Sequence, residues 1–244
     1  MERIIMMVLR SLHKVPGWWF RICWYGRDKK FEKYSEEKRY ELLQELVTYV
    51  NRAGKVNIVT TGAEKLPKEN GYMLFSNHQG MFDTLLFFQT HGRFLSVVFK
   101  KEVANVILVK QIGRLINAKS MDREDVRQSM RVIKEVSEEV KKGRNYLIFP
   151  EGTRSRKGNQ MLEFKNGAFK SAVYAKCPIV PVAIIDSFKA FDTHSTAEMT
   201  AQIHYLEPIP YEMYKGMKTK DISAMVKERI QETIEKYAPA DEQE

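Results

Sequence analysis

Tyr72-Met73-Leu74-Phe75-Ser76-Asn77-His78-Gln79-Gly80-Met81-Phe82-Asp83 decides the fold of this chain. Tyr72 to Phe75 are apolar and predict a short buried strand. Asn77 and Gly80 are poor helix formers and mark a turn. Asp83 opens a helical stretch that runs to Gln89. Positions i and i+5 of one helix lie about 500° apart, at about 100° per residue, so His78 and Asp83 cannot touch within a regular helix. With His78 on the turn and Asp83 in the first helical turn behind it, the loop can fold back and join them. One imidazole nitrogen can then take a proton from a hydroxyl, while Asp83 accepts the other ring N–H and stabilises the imidazolium. Alone, the spacing is a weak signal, because a turn histidine and an N-cap aspartate also produce it.

The flanks repeat the strand-to-helix alternation. Strands are predicted at Val56–Thr60, Phe94–Phe99, Tyr146–Phe149, Ile179–Ile185 and Ala201–Leu206. A helix capped by Ser35 ends at Gly54. Another, capped by Asp122, carries the stripe Val126, Met130, Ile133, Val136 and Val140 and stops at Gly143. A third spans about Gly167 to Lys176, and the last carries Ile222, Met225, Val226, Ile230, Ile234 and Tyr237. This alternation predicts an α/β fold, a mostly parallel central sheet flanked by helices, with ligands at the carboxyl ends of its strands. Three parts are expected: a helical segment at 1–30 that docks on a membrane interface, an α/β domain at 31–237, and a flexible tail at 238–244.

A second motif, Phe149-Pro150-Glu151-Gly152-Thr153-Arg154-Ser155, ends one of those strands and opens a polar loop. Gly152 lets the backbone approach a ligand closely. Thr153 and backbone N–H groups can donate to phosphate oxygens. Arg154 offers a planar fork suited to bidentate phosphate binding. A base at one site and an anion clamp at the other suit acyl transfer to a hydroxyl on a phosphate-bearing acceptor. The hydroxyl attacks a thioester directly, so no nucleophilic Ser or Cys is needed.

The bulk numbers agree with such a protein. Among 244 residues, forty basic and thirty-one acidic side chains leave a net charge of +9, which favours anionic partners. No basic run is flanked by stacking aromatics, so nucleic acid is set aside. Two cysteines, Cys23 and Cys177, form no disulfide framework and fit a reducing compartment. His91, His194 and His204 are scattered, without metal-ligand spacing. At the amino terminus, Ile4–Leu9 and Val15–Tyr25 mix large apolar residues and all three tryptophans with Arg3, Arg10, Lys14 and Arg21. No run reaches the roughly 20 residues of a transmembrane helix. The pattern reads as a pair of amphipathic segments in the headgroup layer, whose removal would leave a folded domain. The alternative is a helix that caps the domain's own core with its aromatics inward. A catalytically silent lipid-binding module would share this surface, and the intact His/Asp pair argues against it.

With these residues in place, the chain resembles the 1-acyl-sn-glycerol-3-phosphate acyltransferases, most of all the short bacterial members. The family's Asn-His-x4-Asp block is matched at Asn77, His78 and Asp83. A second block is matched across Phe149–Ser155 with Phe164-Lys165-x-Gly167-Ala168, and a third, proline-bracketed strand at Pro178–Val182. The remaining block keeps Asp122-Arg123 but has Asn117 where members usually carry glycine. The resemblance covers roughly residues 55 to 210. It implies that His78 and Asp83 are catalytic, and that Lys100, Arg123, Glu151, Gly152, Thr153 and Arg154 bind the acceptor's phosphate and glycerol. It also implies an apolar groove for the acyl chain, no metal or bound cofactor, and acyl-carrier protein or coenzyme A as the acyl-bearing co-substrate. The expected product is phosphatidic acid, made at the cytosolic face of the cell membrane by a peripheral enzyme on anionic lipid.

Overall fold

The computed structural model describes residues 2–28 and 32–238. Residues 239–244, most of the expected tail, lie outside the described residues. The element formed by the decisive stretch is β2 (Met73–Ser76), a turn, and α4 (Asp83–Thr90). Around it stand β1 (Val56–Thr61), β3 (Leu95–Lys100), β4 (Lys119–Met121), β5 (Asn145–Ile148), β6 (Ile179–Ile185) and β7 (Met199–Tyr205). They form one sheet in the order β1-β7-β6-β2-β5-β3-β4. Strands β6, β2, β5, β3 and β4 are mutually parallel, while β7 runs antiparallel to β6 and β1 follows β7. The sheet is therefore mixed but mostly parallel. Its parallel part sends the loops after β2, β5, β3 and β4 out of one edge.

Side chains alternate across the sheet with the two-residue strand period. Leu74, Leu147, Val180 and Val182 face one layer, which holds α1 (Glu2–Ser11), α2 (Val15–Tyr25), α3 (Glu36–Ala53) and α4. Met73, Phe75, Tyr146 and Ile148 face the other, which holds α6 (Val126–Lys141), α7 (Lys170–Ala175) and α9 (Thr219–Tyr237). Ser35 caps α3 by accepting the Lys38 N–H, and the helix stops before Gly54.

Several boundaries differ from expectation. Asp125, not Asp122, caps α6: it sits directly before the first helical residue and its side chain accepts the Gln128 N–H. Asp122 instead accepts the Glu124 N–H at 3.1 Å and pairs with Lys101 at 3.2 Å. Val126, read as the start of the buried stripe, is 73% exposed: it is the first residue of α6, ahead of the turns that pack on the core. The buried face is Val132, Ile133, Val136, Ser137 and Val140. The expected single helix from Gly167 is a short 3-10 turn, Asn166–Phe169, followed by α7. Three elements had no expectation: α5 (Ile107–Leu115), β4, and α8 (Tyr211–Tyr214).

Both amino-terminal segments are helical and pack on the domain. Met7, Trp18 and Ile22 belong to its core. Gly54 leaves room for Met7, since a Cβ there would meet its Cε at 2.1 Å. The buried Arg3 guanidinium donates to Gly54 O at 2.6 Å and Ala197 O at 2.8 Å. The inner faces of these helices thus cap the domain's core, as the alternative reading of the segment has it. Their outer faces still expose Ile5, Leu9, Trp19, Phe20 and Trp24.

Candidate active site

The turn after β2 is wound tightly around one carboxylate. Asp83, fully buried, receives His78 Nδ1 at 2.7 Å, the Gln79 N–H at 2.6 Å and the Gly80 N–H at 3.1 Å on Oδ2. Ser187 Oγ donates to its Oδ1. Glycine fits closely here, since a Cβ on Gly80 would meet Asp192 Oδ2 at 2.7 Å and Phe188 Cα at 3.3 Å. These contacts fix the tautomer with the proton on Nδ1. They leave Nε2 with no protein partner among the described residues. The imidazole stacks on Phe149, with centroids 4.1 Å apart and planes at 18°. Its side chain is 18% exposed, so the ring is held but reachable.

The second motif is locked to the same turn. The His78 N–H donates to Glu151 Oε1 at 2.7 Å, and the Ser155 N–H donates to His78 O at 2.7 Å. Adjacency of β2 and β5 makes this possible, with Phe75 level with Ile148. The other Glu151 oxygen accepts the Leu162 N–H at 3.0 Å. Glu151 is 2% exposed, and burial pushes its carboxyl from the ordinary 4.5 up to about 7, against the opposing pull of the two N–H donors. Both its oxygens are spent on backbone groups, so it braces two loops rather than facing outward to a phosphate.

Gly152 takes the left-handed conformation, φ +77°, and the Lys165 side chain lies over it; a Cβ would stand 3.1 Å from Nζ. Thr153 and Lys165 are exposed and Arg154 is half-buried, with no ion pair to Arg154 or Lys165 among the described residues. Lys100 ends β3 and is paired with Glu102 at 3.0 Å. Arg123 follows β4; it is half-buried with no ion pair among the described residues, and burial lowers its pKa. Glu102 opposes that shift through its charge without a direct ion pair, and a desolvated guanidinium held so loosely is suited to an incoming anion. The structure thus joins His78, Asp83 and Glu151 by direct bonds. It sets Gly152, Thr153, Arg154, Lys100 and Arg123 on loops at the same sheet edge. Asn117 adopts φ +51°, the left-handed region that asparagine tolerates best after glycine, so the turn before β4 is kept.

Sequence reading missed Ser187, and gave Phe149 and Lys165 no part of their own at the site although both stand in the matched blocks. Ser187 had a usable signal: Asp186-Ser187 is the first polar pair after the apolar run of β6, the strand beside β2. A groove of about 760 Å³ runs along α6, lined by Val126, Met130 and charged residues, but it does not include His78. Among the described residues no three or more His, Cys, Asp or Glu side chains gather as metal ligands.

Comparison with known proteins supports this reading of the blocks. Residues 57–185 match the model of the Acyltransferase family. A probable 1-acyl-sn-glycerol-3-phosphate acyltransferase of Mycoplasma pneumoniae is 31% identical over 161 residues, 64% of this chain and 59% of that protein. The 1-acyl-sn-glycerol-3-phosphate acyltransferase alpha of Ovis aries is 28% identical over 189 residues, 76% of this chain and 64% of its own length. The chain thus spans about three fifths of these relatives. The crystal structure of the 1-acyl-sn-glycerophosphate acyltransferase PlsC from Thermotoga maritima shares the fold, with a TM-score of 0.72 at 21% identity, covering 96% of this chain and 97% of that one. With a histidine oriented by a carboxylate, the Glu151–Arg154 loop bonded to the same turn, and a family match across both, the chain belongs to the Acyltransferase family.

Proposed function

We propose that the protein transfers a fatty acyl group from a thioester carrier to the sn-2 hydroxyl of 1-acyl-sn-glycerol-3-phosphate, giving phosphatidic acid. One observation carries this: the His78 backbone is clamped between Glu151 and Ser155, so the base and the Gly152–Arg154 loop form one rigid unit. In this reading Nε2 of His78 removes the hydroxyl proton as the oxygen attacks the thioester carbonyl. The tetrahedral intermediate collapses with loss of the thiolate, which takes the proton back from the imidazolium. A thiol has a pKa of about 8.5, far below an alcohol's, so it is the better leaving group. Arg154, Thr153, Lys100 and Arg123 hold the acceptor's phosphate, and Glu151 positions the loops. The donor is acyl-carrier protein or coenzyme A, with no metal or bound cofactor. The enzyme is placed at the cytosolic face of an anionic membrane; no described helix is long and apolar enough to cross one.

An acyl-transfer assay with a panel of lysolipid acceptors and both donor types tests the reading. Preference for glycerol-3-phosphate or a phosphate-free lysolipid would redirect it. Within that assay, Arg154→Ala is expected to raise the acceptor's KM by roughly tenfold to a hundredfold, the worth of one charged hydrogen-bonded pair, with a smaller change in kcat. Unchanged KM would remove Arg154 from the clamp.

Glu151 gives a pH prediction. Its folded pKa lies above the unfolded value, so between about pH 4.5 and 7 the folded state holds a proton that the unfolded chain has lost. Stability from this group therefore falls as pH rises through that window. Glu151→Gln does not titrate. The melting temperature of the variant minus that of the wild type should climb from about pH 4.5 to 7 and then level off. A difference independent of pH would show that Glu151 is charged throughout.

A further inference from the structure

The site edge carries apolar side chains as well as charge. Strands β2, β3, β4 and β5 are parallel, so the segments that leave their carboxyl ends lie at the same edge of the sheet as His78. Those segments expose Met81 after β2, Val103, Val106, Ile107 and Leu108 after β3, and Val126 after β4. Ile107 is 69% and Leu108 51% exposed. Four of these side chains, Val103, Val106, Ile107 and Leu108, fall within six residues, and a contiguous exposed apolar patch marks an interaction surface where scattered apolar residues do not. Over residues 100–110 three lysines, Lys100, Lys101 and Lys110, stand against one acid, Glu102, which pairs with Lys100, and Lys110 has no acidic partner among the described residues. Large apolar tips flanked by an excess of lysine match the boundary between anionic headgroups and acyl chains.

We propose that Val103–Leu108, with Met81 and Val126, forms a second lipid-inserting surface, distinct from the outer faces of α1 and α2, that seats the edge of the sheet bearing His78 on an anionic membrane. The lipid acceptor then reaches the basic loops from the bilayer without first dissolving in water. This deepens the function proposed above by giving the site's own rim the membrane contact. Its test measures lipid binding alone, so it can fail while acyl transfer stands, and the reverse.

The test compares full-length wild type with I107S/L108S for partition onto vesicles of equal parts phosphatidylglycerol and phosphatidylcholine. Both positions are exposed, so the fold should survive, and a melting curve checks this. A control, M213S/M217S, removes exposed methionines at and after α8, which follows Ile209 beside the amino end of β6, the edge opposite the site. Burying about two such side chains implies at least a roughly tenfold loss of partition for I107S/L108S, with little change in the control. Equal partition of I107S/L108S and wild type would overturn the proposal, as would an equal loss in the control. A wild type that self-associates where I107S/L108S does not, with unchanged lipid binding, would assign the patch to a second copy of the chain instead.

Discussion

Replacing His78 by alanine will lower kcat for acyl transfer by roughly a thousandfold, with the acceptor's KM little changed. General-base catalysis by a positioned imidazole contributes about 10² to 10⁴ in rate. Here the ring is prepaid in orientation, with Nδ1 on Asp83 at 2.7 Å and one face on Phe149, so the upper half of that range is expected. The loop should not move when the ring is cut away. Its bonds to Glu151 and Ser155 come from the His78 backbone, which alanine keeps. The basic side chains assigned to the acceptor's phosphate lie on other residues, so binding should persist. Steady-state kinetics with lysophosphatidic acid separates the two parameters, and a melting curve confirms the fold. Acyl transfer that survives His78→Ala at more than about a tenth of the wild-type rate would remove the general base from the mechanism.

The residues that make this prediction possible were legible in the sequence because local rules govern them. Strand β2, the Asn77–Gly80 turn and α4 follow from apolar run, helix breakers and helix start, all within about a dozen positions. The 179–185 strand was placed to the residue because a fully buried central strand is an unbroken apolar run. Two features were not legible locally. Ser187 lies 104 positions from Asp83 and is brought to it only by β6 pairing with β2. Strand β4 is short, half-buried and reads Lys-Ser-Met, so pairing with β3 creates it and propensity does not. The amino-terminal tryptophans show a third case. Composition marks them as amphipathic, but only packing tells that Trp18 faces the core while Trp19 faces outward. Glu151 is the clearest instance at the site. A charged residue within a Gly-Thr-Arg loop reads as solvent-facing, and its inward turn depends on N–H groups of His78 and Leu162 that lack other partners.

Asp83→Asn should cost about as much as losing the base itself, roughly 10³- to 10⁴-fold in kcat, although it changes a single atom. Asp83 is fully buried and accepts from His78 Nδ1, two backbone N–H groups and Ser187 Oγ, with nothing asking it to donate. An asparagine must turn its NH₂ toward some of these groups. Facing Gln79 and Gly80, it sets donor against donor and opens the turn. The Ser187 hydroxyl could rotate to accept, since Gln79 Oε1 lies 3.0 Å away as an alternative acceptor for its proton. That choice leaves the amide oxygen on the His78 side and preserves geometry, so the fold should persist with a loss of no more than about 1–3 kcal/mol for imperfect pairing. Geometry without charge still fails chemically, because a neutral amide does not stabilise the imidazolium formed at proton transfer. The expected signature is thus a nearly normal acceptor KM, a collapsed kcat, and partial return of activity as pH rises and hydroxide assists deprotonation. A variant with wild-type kcat at neutral pH would mean that Asp83 only holds the Gln79–Gly80 turn, and that His78 needs no carboxylate to work.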